Sequence, residues 1–432
     1  MAESNDSVPT PLGAADRAGA PSAIHPFAPP AEATGGPSRA PRPLIPIFII
    51  VFIDVMGLTL IIPLLPFYAL KFGATPFQAT LLLSVFAVFQ LFSGPFLGGW
   101  SDRSGRKIVL LVSQAGMLAS YVVLGFANAL WVVFVGRIIA GITSGNLSVA
   151  QAYISDVTKP EERTKAFGFF GIAFGLGFVL GPALAFGLTT LGSESTPFFG
   201  SAVLSGLSFA CTLVMLPDAR PTVSSGRSAP AWALLARREP RRRLLEFFLF
   251  NLSFSTFIGG FALYLNAQFN FDQTHASLMF LYTGLLGAFI QGGLIGRLAK
   301  QIGEKKLALS GFVAMAVGHF FLGWIHWVPA LMAVAVVGSY GTAVTRPALT
   351  TLITKSVGPN EQGKALGLGT TLASVSQIVG PPAAGWLIQN RFLGAYGALV
   401  GVLSAIGVVL LAFPGADPKP DASGARLGSP GE

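Results

Sequence analysis

Charge is scarce in this chain. Of its 432 residues 11% are Asp, Glu, Lys or Arg, while 52% are hydrophobic. Soluble domains carry about 25% charged residues, so this composition cannot cover a water-exposed surface. Cysteine is nearly missing. Cys211 stands alone, which excludes an intrachain disulfide and a cysteine metal site. The sequence has no His/Cys metal cluster, and neither a metal nor a cofactor is expected. No G-x-x-x-x-G-K-[ST] loop is present, which excludes an ATP-driven pump. No G-x-S-x-G motif sits at a membrane face, and an enzyme is not expected. What abounds is glycine, at 52 residues, as where membrane helices pack closely.

A membrane helix needs about 20 mostly apolar residues. Twelve such stretches are expected, at 44–70, 77–100, 107–127, 130–153, 165–191, 197–216, 245–267, 275–298, 306–326, 328–353, 363–389 and 392–414. The split near 327 rests on the turn His326-Trp327-Val328-Pro329. Residues 1–43 and 415–432 read as disordered cytoplasmic tails, and 217–244 as a basic cytoplasmic linker. Of 28 Lys and Arg, only Lys71 and Arg391 sit in odd-numbered loops, and Arg137 and Arg346 sit inside spans. The rest fall in the tails or in even-numbered loops. Positive residues stay on the cytoplasmic side, so both termini are expected in the cytoplasm of a plasma-membrane protein. The net charge of +9 is then a topology signal, and nucleic acid is not an expected partner. Arg237, Arg238, Arg241, Arg242 and Arg243 in the linker point to anionic lipid.

The two halves echo each other. Pro160, Glu162, Lys165, Ala166 and Gly168 recur as Pro359, Glu361, Lys364, Ala365 and Gly367, at an offset of 199. Gly181-Pro182 recurs as Gly380-Pro381 at the same offset. Gly98, Gly105 and Lys107 recur as Gly296, Gly303 and Lys305 at 198. The expected fold is an all-α membrane protein with twelve transmembrane helices in two pseudo-symmetric six-helix bundles, 44–216 and 245–414. A small-molecule substrate then binds between the bundles near the midplane, and the bundles rock about it.

Particular residues carry a family resemblance over about 44–414. Gly98-Gly99-Trp100-Ser101-Asp102-Arg103-Ser104-Gly105-Arg106-Lys107 resembles the G-x-x-x-D-R-x-G-R-K signature of the major facilitator superfamily. Arg137-Ile138-Ile139-Ala140-Gly141 resembles its R-x-x-x-G. Gly177-Phe178-Val179-Leu180-Gly181-Pro182 resembles the antiporter G-x-x-x-G-P, with Ala185 and Phe186 where a glycine pair usually closes it. Asp54-Val55-Met56-Gly57, continuing to Pro63 and Pro66, is similar to the tetracycline/proton antiporters, as are Gly141-Ile142-Thr143, Ile154-Ser155-Asp156 and Gly303-Glu304-Lys305. The chain departs from that group at Gly287, where the group has His, and at Met315, where it has Asp. The resemblance implies a monomeric, proton-coupled exporter of drugs or other amphiphilic molecules. A symporter or facilitator of a sugar or metabolite is the alternative.

Read on their own chemistry, a few polar residues stand out. Asp54 is the one carboxylate deep in an expected span, where a charge costs about 2.5–3.5 kcal/mol or more. Such a group can gain and lose a proton as access alternates. Arg137 is the matching cation and is expected to pair with Asp54 or bond span-one carbonyls. Asp102, Arg103, Arg106 and Asp156 form an expected charge network at the cytoplasmic mouth, holding the halves together in one state only. Gly177 and Gly181 share a helix face open to close approach, and Pro182 bends that helix. Asn146, Gln151, Asn251, Tyr264, Gln291, Tyr340 and Gln377 are candidates to line the pocket. His275, His319 and His326 read as structural.

Overall fold

The computed structural model describes residues 44–158, 163–217, 231–358 and 361–413. The two expected tails and residues 218–230 of the basic linker lie outside the described residues. Backbone polar groups in hydrocarbon must be satisfied within the chain, and each long apolar run accordingly forms helix. The first half holds α1 (Ile45–Ile61), α2 (Leu65–Lys71), α3 (Pro76–Ser104), α4 (Arg106–Gly125), α5 (Leu130–Ile142), α6 (Asn146–Val157), α7 (Arg163–Leu191) and α8 (Thr196–Met215). The second holds α9 (Arg238–Phe269), α10 (Gln273–Phe289), α11 (Ile295–Phe320), α12 (Val328–Lys355), α13 (Gln362–Gln389) and α14 (Leu393–Ala412).

Among the described residues nine helical stretches are long and apolar enough to cross a membrane, or ten if the bent pair α1 and α2 is one span. That pair is bent by 41° around Pro63, which has no N–H for the helix ladder. The expected fourth span is also broken. α5 ends at Ile142, Thr143 folds its hydroxyl back onto the Ile139 carbonyl at 2.8 Å, and α6 restarts at Asn146. The expected turn at 327 stands, with α12 starting at Val328. α9 begins at Arg238 rather than near 245. Its first turns are laced by ion pairs between Arg243 and Glu239 and between Arg242 and Glu246, a spacing that supports helix.

The repeat seen in sequence is repeated in geometry. Gly105 between α3 and α4 has φ 94°, and Gly303 inside α11 has φ 77°. Both need the left-handed region that other residues avoid. α1 packs along α7 and α8, and α9 along α13 and α14. A Cβ on Gly181 of α7 would meet the Leu60 nitrogen of α1 at 2.9 Å. A Cβ on Gly380 of α13 would meet the Thr256 nitrogen of α9 at 2.8 Å.

The halves touch through α3 with α13 and through α7 with α10. The Ser84 hydroxyl donates to the Ile378 carbonyl at 2.8 Å, and the Phe77 N–H donates to Gln389 Oε1 at 3.3 Å. These contacts lie toward the end that carries the short turns at 72–75 and 390–392. Toward the opposite, basic end several glycines of the two helices stand clear of neighbours. Gly94, Gly98 and Gly99 of α3, and Gly363 and Gly367 of α13, have no outside heavy atom within 4 Å of where a Cβ would sit.

Candidate transport site

Asp54 projects from the middle of α1 into a corner made by α4, α6 and α8. Asn146, the first residue of α6, donates its side-chain N–H to Asp54 Oδ2 at 2.9 Å. Gln114 of α4 donates to Ser208 Oγ of α8 at 2.8 Å and lies 3.5 Å from Asp54 Oδ2. The break between α5 and α6 is what brings Asn146 to the carboxylate. Asp54, Tyr121, Asn146 and Ser205 line a small cavity with room for about one water. The arrangement holds a carboxylate by neutral donors, with no cation bonded to it among the described residues. Such a group can change protonation without breaking an ion pair.

Arg137 of α5 does not sit where expected. Its Nε donates to the Leu82 carbonyl of α3 at 3.3 Å, and its guanidinium lies 4.4 Å from the Phe86 ring centroid. It therefore bonds neither Asp54 nor α1. The carbonyl and the aromatic face supply part of what a buried guanidinium needs. Tyr121 shares the wall of the cavity beside Asp54.

The network at the basic end is present, but within the first half alone. Arg106 is 7% exposed. Its Nε bonds Asp156 at 2.8 Å, and its Nη1 bonds Ser101 at 2.6 Å and pairs with Asp102. Asp102 and Arg103 are exposed. The second half carries a counterpart of reversed sign. Lys355 at the end of α12 bonds Glu304 of α11 at 2.6 Å. At the repeat's offsets of 198 and 199, Arg106 corresponds to Glu304, Asp156 to Lys355 and Asp102 to Lys300. The Lys355 ammonium hydrogen-bonded to Glu304 holds that carboxyl below its ordinary value. Arg237, bonded to Glu361 at the start of α13, does the same there.

The expected pocket residues fall in different settings. Asn146 joins Asp54. Gln151, Gln291 and Gln377 are exposed, with Gln291 on a π-turn (Ile290–Leu294), a distortion frequent at functional sites. Asn251 bonds the Phe247 carbonyl of its own helix, and Tyr340 bonds Ser310 across α11 and α12. Tyr264 is a core residue instead: it is fully buried, bonds the Leu322 carbonyl and packs on Phe261, Phe269 and Tyr396. Sequence reasoning missed Gln114, Tyr121 and Ser208 around Asp54. It also missed Glu246, a fully buried carboxylate flanked by Arg242 and Arg243 at 3.2 and 3.1 Å. For Glu246 a signal was there, since Arg242-Arg243-x-x-Glu246 places a cation three and four residues before an acid. His275 pairs with Asp272 at a helix start, and His326 bonds the Trp324 carbonyl. His319 is 2% exposed and stacks on Phe257.

Comparison with known proteins bears on this geometry. The family model described as Major Facilitator Superfamily matches residues 47–300 and 244–429. The chain belongs to the major facilitator superfamily. It is 32% identical to the class E tetracycline resistance protein of Escherichia coli over 77% of this chain and 84% of that protein. It is 26% identical to multidrug resistance protein 1 of Bacillus subtilis (strain 168), over 78% and 87%. The crystal structure of the human organic anion transporter MFSD10 superposes with a TM-score of 0.67 at 24% identity, over 86% of this chain and 99% of that one. This major facilitator protein is thus an integral, multi-pass, secondary active transporter of small molecules. It is not an enzyme.

Proposed function

We propose that this transporter is a proton-coupled antiporter that exports drugs or other amphiphilic organic molecules by alternating access. The observation that carries the reading is Asp54: a carboxylate in mid-span, held by Asn146 at 2.9 Å and by no cation. A group so placed can take up a proton from one side and release it to the other without dismantling the helix contacts around it. The likeness to tetracycline and multidrug resistance proteins supports export as the direction and amphiphiles as the cargo.

The reading includes twelve spans in two halves of six. The stretch Gln273–Trp324 is 52 residues long. As one helix it would run about 78 Å, more than twice a hydrocarbon core of about 30 Å. Joining α1 to α2, dividing this stretch at Gly303 and counting α13 brings nine to twelve. The basic end is assigned to the cytoplasm by the positive-inside rule. The halves are joined toward the opposite end through Ser84 and Phe77, and an exporter collects its cargo from the cytoplasmic side.

The test is efflux of a compound panel from cells expressing wild type or Asp54→Asn, with and without a proton gradient. Asp54→Asn is expected to abolish export against a concentration gradient while leaving the protein in the membrane at normal levels. Uphill export by the variant at the wild-type rate would refute the proton role. Proton-independent uptake of a sugar by the wild type would move the chain to the facilitator reading.

A further inference from the structure

Tyr121 is 2% exposed, and its hydroxyl has no hydrogen-bond partner among the described residues. A buried phenol usually finds one, and an unbonded buried hydroxyl is costly. Two more orphaned atoms lie nearby, Asn146 Oδ1 and Gln114 Oε1. Both side chains spend their N–H groups on Asp54 or Ser208, which leaves their oxygens as acceptors. Tyr121 and Asn146 share the wall of the cavity beside Asp54. That space fits about one water, and a buried water needs two to four polar partners. Asp54, the Tyr121 hydroxyl and Asn146 Oδ1 supply three.

We propose that this cavity is a binding site for a single water molecule, held by Tyr121 and Asn146 against Asp54, and that this water delivers the proton to Asp54. The inference rests on the reading of Asp54 as the proton carrier. The step balances without a co-reactant. A proton arrives on the water as hydronium, one O–H bond of the hydronium breaks, that proton bonds a carboxylate oxygen of Asp54, and a neutral water remains. Release runs in reverse. Tyr121 keeps its own proton throughout. Its hydroxyl can accept from the water when the water donates to Asp54, and donate to it otherwise. It is a positioning residue, acting through the water.

The groups facing this corner are few. α1 brings Asp54, α4 brings Tyr121, and α5 brings Arg137, which lies within electrostatic reach of Tyr121. α6 brings the neutral Asn146, and α8 brings Ser205 and Ser208. No second carboxylate faces Asp54 among the described residues. The titration of this corner is therefore that of Asp54 as modulated by one phenol, one guanidinium and the water between them.

The experiment uses the full-length protein reconstituted into lipid vesicles, with a fluorescent amphiphilic dye that the wild type exports under an imposed proton gradient. Tyr121→Phe keeps the ring and removes only the hydroxyl. Gradient-driven export is expected to fall about tenfold, the factor that accompanies loss of one hydrogen bond linked to a charged group. Its pH profile is expected to shift, while dye affinity without a gradient stays within about twofold. A merely structural hydroxyl would not move the pH profile. Wild-type rate and profile in Tyr121→Phe would overturn the inference, and so would wild-type export driven equally well by a sodium gradient. Asp54→Asn run in parallel separates the two readings. If Asp54→Asn still concentrates dye, the carrier assignment fails. If it is inactive and Tyr121→Phe is normal, only the water fails. Should Tyr121→Phe not purify as a monodisperse protein, Tyr121→Met, which also removes only the hydroxyl as a polar group, carries the same test, with a slower rate and a shifted profile expected and unchanged values refuting.

Discussion

The crossing of α1 and α7 is set by one missing side chain. A Cβ at Gly181 would lie 2.0 Å from Thr59 Oγ1 and 2.9 Å from both the Leu60 nitrogen and the Met56 carbonyl oxygen. The hydroxyl of Thr59 could rotate away, but it would then give up its 2.8 Å bond to the Gly177 carbonyl, which ties the two helices together. The two backbone atoms cannot rotate away. Gly181→Ala must therefore separate the helices. Overpacking of this kind costs about 1–3 kcal/mol, and a lost buried hydrogen bond adds about 1 kcal/mol. Replacing Gly by Ala inside a helix returns about 1 kcal/mol. The net loss is about 1–3 kcal/mol, a fall of about 2–5 °C in melting temperature. Gly175, on the same helix, has no outside atom within 4 Å of its would-be Cβ, so Gly175→Ala should leave the melting temperature level or raise it. The assay is thermal unfolding of both purified variants in detergent against wild type. A Gly181→Ala protein that melts with or above wild type would refute the close-approach argument, whatever its transport activity.

Arg106→Ala should slow turnover several-fold with little change in substrate affinity, because Arg106 ties α4 to Asp156 at the basic end and lies far from Asp54; equal turnover with weakened binding would count against this, in a transport assay that separates KM from maximal rate. Glu304→Lys and Lys355→Glu should each impair transport, and the double exchange should restore much of it; failure of the exchange to rescue would mean the pair's sign matters. The Glu304 carboxyl is held below its ordinary value of 4.5, so its contribution is full above that value and is lost only as pH falls through the lower folded value. Export measured between about pH 5 and 8 should then show no pH dependence traceable to this pair, which a Glu304→Gln profile checks. Growth protection in an efflux-deficient host should be weak or nil for tetracycline and measurable for another amphiphile, since Gly287 and Met315 replace two polar groups of the tetracycline antiporters and Met315 is fully buried against Gly341; strong protection against tetracycline alone would refute it.

Much of the helical layout was legible because hydrocarbon leaves the chain few choices. Apolar runs of spanning length must be helices, and glycines at positive φ must be glycines, so Gly105 and Gly303 announced matching turns. Asp54 was legible because a carboxylate amid Ile, Val and Met is expensive enough to need a reason. Its surroundings were not. Gln114, Tyr121 and Ser208 come from α4 and α8, and serines and tyrosines are scattered over most spans. Only the convergence of four helices picks these out. The partner of Arg137 was hidden for another reason: a backbone carbonyl and a ring face leave no charge signature to pair by eye. Tyr264 was drawn toward the pocket by its polar tip, which in fact ends on the Leu322 carbonyl inside the core.

The reversed signs at the basic end say something about what is being held constant between the halves. Arg106 with Asp156 joins α4 to α6, and Glu304 with Lys355 joins α11 to α12, at corresponding places in the repeat. The backbone feature beside each pair is the same, a glycine at positive φ. What the two clamps share is therefore geometry and charge neutrality, not residue identity. An ion pair at a membrane rim works with either orientation, because its Coulomb energy depends on the product of the charges. A third corresponding position is reversed in the same way: Asp102, paired with Arg106, corresponds to Lys300, and both are exposed.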